Sequence, residues 1–344
     1  MKMMTIGPTV LLALVVSLSL AACRWHQPGS SGTLAAMERM AVTDAADKSL
    51  RAQWFGVSTL LIRDGETSIL IDGFFSRPGV KEILFTHLAS KKDLIDAALP
   101  SDQLPKIDAV LVSHSHYDHA LDAPYLARTR SAILVGSEST LNIGRAQGMR
   151  PESLQLVTHG SRLKVGRFEI EVLRTPHVST PIGGAIDESF EVPARVFDYK
   201  LGASFSFLLR HPDGAILVVP SAGSREGMFE GVQADIVFLG IGTLGARSRD
   251  QTLALWAEAV ERTGARLVVP VHWDYLARPF ATPLPPPMPW PLDNVDDTLH
   301  MLKGLAKTRC EPGTRVRLIP AKETVSLAKA LREGPVPDAP ACRR

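Results

Sequence analysis

The chain has 344 residues, of which 45% are hydrophobic and 22% are charged, as is ordinary for globular proteins. This composition excludes a chain that is disordered or fibrous throughout, and the length allows one large domain or two fused halves. The net charge of +2, from 38 basic and 36 acidic residues, is too small to indicate a nucleic-acid binder. Three cysteines exclude both a disulfide scaffold and a cysteine-only zinc site.

Residues 1–22 are predicted to be an export signal. Lys2 precedes the apolar run Val10–Leu20, which at about 1.5 Å per residue cannot cross about 30 Å of hydrocarbon. The ending Leu20-Ala21-Ala22-Cys23 resembles the bacterial lipobox, in which the cysteine is acylated. The resemblance implies a lipoprotein of the cell envelope that faces the periplasm and is anchored to a membrane through Cys23. Arg24 resembles the pattern sent to the outer membrane. A coincidental cysteine after an ordinary signal is the alternative.

The mature chain is predicted to have three parts. Residues 23–50 show little periodicity and contain Pro28-Gly29-Ser30-Ser31-Gly32, which is typical of a tether. Residues 51–334 are expected to form one domain, and residues 335–344 a C-terminal tail. Cys310 and Cys342 could pair in an oxidising periplasm or remain free thiols.

Strand-like segments dominate the middle of each half of this domain. Two pairs of segments flank hairpin signals, at Asp64-Gly65 and at Pro212-Asp213-Gly214. Short apolar runs at 109–112, 132–135, 236–239 and 267–269 are typical of buried strands. The run 167–173 places Phe168, Ile170 and Val172 on one face.

Helices are predicted between these strands. In the segment 250–263, Leu253, Trp256, Ala257 and Val260 have helical spacing, and Gly264 follows as a helix stop. A second helix is predicted over 294–306. The pattern indicates an α/β (α+β) fold with sheets covered by helices and two similar halves that meet near residue 165.

The segment 278–292 contains seven prolines, so it cannot form a helix or a central strand. It is expected to be a stiff extended loop, either a surface connector or a wall of the active site. Trp273, Asp274 and Tyr275 lead into it and are expected to line the substrate pocket.

Three histidines and an aspartate lie within six residues, in His114-Ser115-His116-Tyr117-Asp118-His119 at the end of a strand candidate. Imidazole and carboxylate groups hold Zn²⁺ and related ions without thiolates. In an extended segment His114 and His116 share one side, and a turn can bring Asp118 and His119 nearby. The pattern therefore predicts a metal site.

The H-x-H-x-D-H pattern after an apolar strand resembles the metallo-β-lactamase-fold hydrolases. Three further segments support the resemblance: Ile69-Leu70-Ile71-Asp72-Gly73, Thr175-Pro176-His177 and Val269-Pro270-Val271-His272. It extends from about residue 54 to 320 and implies a four-layer αββα sandwich of two similar halves.

Carried over to this sequence, the resemblance implies two metal positions. It places His114, His116 and His177 on one ion and Asp118, His119 and His272 on a second. The family usually has a bridging aspartate at the position of Ser221 here, so the second ion is expected to be labile or absent. Zinc is the expected ion, one or two per chain, with manganese or iron as alternatives.

The resemblance also implies a mechanism, in which a metal-bound hydroxide attacks the substrate. Asp118 is the predicted catalytic residue, as a ligand of the second ion or as the group that orients the water and accepts its proton. Asp72 is expected to orient a metal-binding histidine rather than to bind metal itself.

The predicted function is that of a metal-dependent hydrolase acting on an ester, lactone or phosphodiester. The segment layout resembles the branch of lactonases and phospholipid phosphodiesterases, so a small-molecule or lipid substrate is expected, and no nucleic acid. A periplasmic β-lactam hydrolase and a non-catalytic metal-binding lipoprotein are the alternatives.

Overall fold

A computed structural model describes residues 32–44, 47–104, 106–308 and 313–334 of the chain. The predicted signal peptide, the anchor at Cys23, the pair Cys310 and Cys342, and the tail 335–344 all lie outside these residues. Among the helices of the described ranges, none combines the length and the apolarity that crossing a membrane requires.

The strands form two seven-stranded sheets, each built mainly from one half of the chain. The strands are β1 Arg51–Trp54, β2 Leu60–Arg63, β3 Ser68–Ile71, β4 Ala109–Leu111, β5 Ile133–Gly136, β6 Leu154–Leu156, β7 Arg162–Val165, β8 Phe168–Arg174, β9 Phe205–His211, β10 Gly214–Val219, β11 Ile236–Gly240, β12 Leu267–Val271, β13 Arg315–Val316 and β14 Thr324–Ser326. The first sheet has the order β14-β1-β2-β3-β4-β5-β6 and the second β13-β12-β11-β10-β9-β8-β7.

Both predicted hairpins are present, because β2 pairs antiparallel with β3 and β9 with β10. The chain passes from the first sheet to the second between β6 and β7, close to the predicted boundary at residue 165. The last strand, β14, returns to the first sheet and pairs with β1.

Nine α-helices accompany the sheets in the described part of the chain. They are α1 Gly32–Ala35, α2 Val80–Phe85, α3 Lys92–Ala98, α4 Tyr117–Ala120, α5 Ala123–Thr129, α6 Glu138–Ala146, α7 Arg249–Trp256, α8 Val295–Lys307 and α9 Leu327–Leu331. Helix α8 agrees with the helix predicted over 294–306, and Asn294 caps it by accepting a hydrogen bond from the backbone of Asp297.

The alternation of side chains along the strands produces the layers. In β2, Leu60 and Ile62 point between the sheets, whereas Leu61 points to the outer face, where the helices of the first half pack. The inner side chains meet Phe168, Ile170 and other residues of the second sheet. Each sheet thus buries both faces, which gives the predicted helix–sheet–sheet–helix sandwich.

The predicted tether ends earlier than residue 50. Residues 32–44 pack on the domain, with Leu34, Met37 and Met40 buried in its core. The backbone of Leu34 donates to Asp296 of α8 at 2.7 Å, and Met40 donates to the carbonyl of Leu318 at 2.9 Å. The prediction was wrong here because Leu34, Met37 and Met40, spaced three residues apart, attach the segment to an open edge of the sandwich.

The helix predicted over 250–263 is present, but a different face is buried. α7 ends at Trp256 and continues as a wider π-helical turn, Ala257–Glu261. Leu253 and Ala257 are exposed, and the buried stripe is Leu255, Trp256, Ala259 and Val260. Trp256 and Val260 belong to both the predicted and the observed buried stripe, so the apolar spacing alone did not distinguish the two stripes.

The proline-rich segment folds back along the residues that follow β12. The backbone of Tyr275 donates to the carbonyl of Pro286 at 2.8 Å, and that of Met288 donates to the carbonyl of Trp273 at 2.9 Å. The segment contains no helix or regular strand, as predicted, but bends and a turn at 290–292 interrupt its extended parts. These bonds fix it beside the end of β12, from which His272 projects.

Candidate metal centre

The predicted metal-binding residues all follow strand ends. His114 and His116 lie in the loop after β4, and Asp118 and His119 occupy the short helix α4 that this loop enters. His177 follows β8 and His272 follows directly after β12. Parallel strands place their carboxyl ends at one edge of a sheet, which is where ligands bind in open α/β sheets.

The structure brings the six side chains together as two triads. His114, His116 and His177 form the first triad, and Asp118, His119 and His272 form the second. Within each triad the candidate ligand atoms lie within 4.8 Å of one another. The two triads adjoin, since the rings of His114 and His119 are 3.9 Å apart between centroids. The predicted convergence is confirmed, and the role of these side chains as ligands stays a prediction.

Four of the five histidines hold one ring nitrogen in a hydrogen bond and leave the other for an ion. His116 bonds through Nε2 to the carbonyl of Ile182 at 2.8 Å, and His177 through Nδ1 to the carbonyl of Val178 at 2.5 Å. The Nδ1 atom of His114 lies 3.0 Å from the hydroxyl of Ser113. Such bonds fix the tautomer and the orientation of metal-binding imidazoles.

Asp72 has the orienting role that the sequence predicted for it. It follows β3, is fully buried, and its Oδ2 lies 2.8 Å from Nδ1 of His119, the fourth histidine. The hydroxyls of Ser58 and Ser113 donate to the same carboxylate at 2.5 and 3.0 Å. The imidazole of His119 is therefore held with Nε2 directed towards Asp118.

The side chains of the two triads differ in the direction in which burial and neighbouring charges shift their pKa values. Burial lowers the pKa of His177 to about 3 and that of His114 well below its usual value, so both imidazoles are neutral. Burial also opposes the charged form of His119, but the carboxylates of Asp118 and Asp72 raise its pKa to about 10. Burial opposes ionisation of Asp118 as well, yet His119 and His272 hold the pKa of its carboxyl well below the usual range.

The residues present fit divalent metal ions. Nε2 of His114 is buried without a hydrogen-bond partner, which is a costly state that an ion relieves. The first triad offers three neutral imidazoles, and the second offers two imidazoles and a carboxylate, which are donor sets of zinc, iron and manganese proteins.

Ser221 follows β10 where the family resemblance places a bridging aspartate. Its hydroxyl accepts a hydrogen bond from the backbone of Val178 at 3.1 Å, next to His177. Ser221 thus stabilises the turn that carries His177. The position adjoins the first triad, as the resemblance implied, but it supplies no carboxylate to join the two triads.

Two of the residues expected to line a substrate pocket do not do so. Trp273 is fully buried against Trp54, at 5.1 Å between ring centroids, and Asp274 is fully buried in an ion pair with Arg77. No local signal predicts this pair, because Arg77 lies in a polar Ser-Arg-Pro-Gly segment, where an exposed side chain is the usual outcome.

A cavity of about 450 Å³, with aromatic and charged side chains in its walls, is lined by other residues than the six of the triads. Its walls include Phe55 and Phe75, which follow β1 and β3, and Phe280 from the proline-rich segment. Lys91, Glu82 and Lys322 also contribute to its lining. The proline-rich segment is thus the wall of a cavity rather than only a connector.

Comparison with known proteins identifies the family. A family model described as the beta-lactamase superfamily domain matches residues 67–273, well over half of the chain. The chain belongs to the beta-lactamase superfamily. The matched residues include all six side chains of the two triads.

Relatives and solved structures agree with this assignment. A UPF0173 metal-dependent hydrolase of Pyrobaculum aerophilum is 24% identical over 232 residues, which are 65% of this chain and 84% of the relative. Igni18, a metallo hydrolase of Ignicoccus hospitalis, matches with a TM-score of 0.50 at 18% identity. The match covers 80% of this chain and 97% of the Igni18 chain. CmlA, a diiron β-hydroxylase of Streptomyces venezuelae, has a TM-score of 0.53 at 17% identity, over 81% of this chain and 54% of its own.

The superfamily, the paired triads and the relatives named as hydrolases together place the protein among the metal-dependent hydrolases. This agrees with the enzymatic interpretation of the sequence rather than with a non-catalytic metal-binding lipoprotein.

Proposed function

We propose that the protein is a hydrolase of the cell envelope that cleaves an ester, lactone or phosphodiester bond in an amphiphilic small molecule or lipid, with zinc as its metal. The observation that carries the proposal is the pair of adjacent triads, and we assign the apolar part of the substrate to the cavity lined by Phe55, Phe75 and Phe280. The first half of the chain supplies four of the six side chains and the second half supplies two, so the site lies where the halves meet.

A divalent ion held by the triads would supply Lewis acidity and would lower the pKa of a water molecule to about 7. The chain's own residues then determine where the proton goes. Asp118 Oδ2 lies 3.5 Å from Nε2 of both His119 and His272, between the two imidazoles of its triad. From this position Asp118 orients the attacking water and accepts its proton, or binds the second ion.

The cavity supports a substrate with an apolar part. Cavities of about 300–1,000 Å³ with apolar and aromatic walls are typical of small-molecule sites. Phe55, Phe75 and Phe280 can bury a hydrocarbon segment, and Lys322 at the lining offers a cation to an acidic group. The lipobox at Cys23 supports an address at a membrane, where such substrates are abundant.

β-Lactam hydrolysis is a second candidate, and one observation favours it. The second triad combines Asp118, His119 and His272, and Ser221 leaves the triads without a bridging carboxylate. This ligand set resembles that of one subgroup of metallo-β-lactamases.

The test is a substrate panel assayed with the mature, zinc-loaded protein. The panel contains p-nitrophenyl esters and bis-phosphodiesters of increasing acyl or alkyl length, lactones and a chromogenic cephalosporin. We expect kcat/KM on one ester, lactone or phosphodiester series to rise with chain length and to vanish after chelation. Filling the cavity by Ala98→Phe should remove the length dependence, whereas Ala254→Phe, at an exposed position of α7 outside the cavity lining, serves as the control. Turnover of the cephalosporin alone would select the second candidate.

A further inference from the structure

His272 differs from the other four histidines of the metal centre in how its ring is held. Its Nδ1 atom is buried and has no hydrogen-bond partner, and its Nε2 atom faces Asp118. The other four rings each have one nitrogen within hydrogen-bond distance of a carbonyl, hydroxyl or carboxylate oxygen. Apart from Asp118 and the ring of His119, 5.2 Å away between centroids, it is the backbone that determines the position of the His272 imidazole.

That backbone is in an unfavourable conformation. His272 has a φ of 60°, in the left-handed region that non-glycine residues rarely adopt. Its amide donates to the carbonyl of Val57 at 2.8 Å, and Val57 is itself in this region with a φ of 48°. A β-branched residue there is strained, and such a conformation persists only when the surroundings impose it.

Arg77 and Asp274 supply those surroundings. Asp274 Oδ1 accepts a hydrogen bond from the amide of Val57 at 2.7 Å, and Oδ2 accepts one from Arg77 Nη2 at 2.5 Å. The two side chains are 3% and 0% exposed, so solvent does not weaken the pair. A β-carbon at Gly56 would overlap the Arg77 guanidinium, so glycine is required for this approach.

Further contacts fix the guanidinium itself. Arg77 Nη1 reaches the carbonyl oxygens of Tyr275 and Arg278, each at 3.4 Å, and the guanidinium carbon lies 4.9 Å from the centroid of the Phe280 ring. Arg77 follows β3 in the first half of the chain, whereas Asp274 follows β12 in the second. The pair therefore joins the loop after β3 to the loop after β12, which carries His272 itself.

We propose that Arg77 and Asp274 are positioning residues that set the affinity of the second triad for a divalent ion by fixing the backbone of His272. The first triad does not depend on them, because His114, His116 and His177 are oriented by Ser113, Ile182 and Val178. The inference rests on the metal-binding role of the triads in the proposed function, but not on any substrate.

The test is a competitive titration with Zn²⁺ and a chromophoric chelator, applied to the full mature chain without substrate. The variant His272→Ala identifies the binding step that belongs to the second triad. We expect Arg77→Lys and Asp274→Asn to weaken that same step by about tenfold or more, as for other groups that orient metal ligands. The first step should change by less than about twofold.

Arg130→Lys is the matched control. Arg130 is also a buried arginine, and it donates to the carbonyl of Leu99 at 2.7 Å, outside the metal centre. Asp274→Asn retains the shape of the side chain and an acceptor for Val57, so it provides a second measurement if Arg77→Lys does not fold.

Three results would overturn the proposal. The first is an unchanged zinc affinity of the second step in folded Arg77→Lys and Asp274→Asn variants. The second is an equal loss of affinity at both steps. The third is zinc binding that is the same in His272→Ala as in the wild-type protein. Failure of the hydrolase proposal would be recognised separately, as a protein that binds zinc in this titration but turns over no member of the substrate panel.

Discussion

Asp118 supplies the only carboxylate of the two triads. Because it is buried, its ionised form depends on the imidazoles around it. We predict that Asp118→Asn lowers kcat by a factor of about 10² to 10⁴, because it removes the group that handles the proton or holds the second ion. Stability should fall far less than turnover, because asparagine keeps the size and shape of the side chain.

The measurement is steady-state turnover on the best substrate of the panel, together with thermal unfolding. Asp213→Asn, an exposed carboxylate in the turn between β9 and β10, is the control and should leave kcat unchanged. Near-normal turnover of Asp118→Asn would exclude both roles proposed for Asp118.

Asp64 shows how a single side chain can join two elements. It lies in the turn between β2 and β3, where its carboxylate accepts hydrogen bonds from the amides of Thr67 and Glu66 at 2.7 and 3.0 Å. Its Oδ2 lies 3.2 Å from Nε2 of His211, which lies at the end of β9 in the second half. Burial opposes ionisation, but these bonds lower the pKa of Asp64 below its usual value.

The sign of the resulting pH dependence follows from that shift. A carboxyl whose pKa is depressed in the folded state stabilises the protein above the unfolded value of about 3.9, and the stabilisation is lost as the pH falls through the folded pKa. We predict that Asp64→Asn lowers the free energy of unfolding by about 1 kcal/mol at pH 7. The deficit should shrink below about pH 4, as the pH falls from the unfolded pKa towards the lower pKa of the folded protein. Urea unfolding at several pH values measures this, and a constant deficit would contradict the account.

At the scale of elements, residues 32–44 join the edges of both sheets. Arg39 forms a bridge with Leu318 beside the second sheet, and Val42 forms one with Val325 of β14 in the first. Arg317 adds an ion pair with Glu38 at 2.6 Å. The segment therefore belongs to the folded domain.

We predict that Met37→Ala lowers the free energy of unfolding by about 2–5 kcal/mol, the usual result of removing a buried methionine side chain. Val42→Ala is the control, because Val42 is 55% exposed and should change stability by less than about 0.5 kcal/mol. Denaturant unfolding of the two variants decides the point: equal, small effects would mean that the segment is a tether after all.

The sequence predicted the elements with strong local signals and missed those that depend on distant partners. Apolar runs such as 109–112 identified buried strands, because a strand covered on both faces needs no alternation. The attachment of Met37 and the pairing of Arg77 with Asp274 gave no local signal, since both depend on contacts with residues far away in sequence. Likewise, Trp256 and Val260 fit two helical stripes, and only packing on the second sheet selects one.

At the scale of the whole molecule, the candidate site exists only when the two halves are docked. His177 and His272 come from the second half and meet the His114–His119 loop of the first half at the common edge. The six positions could be inferred from the order of the motifs along the chain. The orientation of each ring could not, because it depends on oxygens of Ser113, Ile182, Val178 and Asp72.

Because the unfolded chain cannot assemble either triad, a bound ion should stabilise the native state. We predict that zinc at 100 times its Kd raises the free energy of unfolding by about 2.7 kcal/mol for each site filled. His177→Ala should remove the part of this stabilisation that comes from an ion at the first triad. Calorimetry with and without zinc measures the shift, and a shift that persists in a variant lacking both His177 and His272 would place the ion elsewhere.

The most direct measurement is anomalous X-ray diffraction from crystals of the mature protein grown with zinc. We predict an anomalous peak about 2.0–2.1 Å from one nitrogen each of His114, His116 and His177. A second peak, of lower occupancy, should lie at a similar distance from Asp118, His119 and His272. Zinc bound at another position, or imidazoles of His177 and His272 turned away from the ion, would contradict the account.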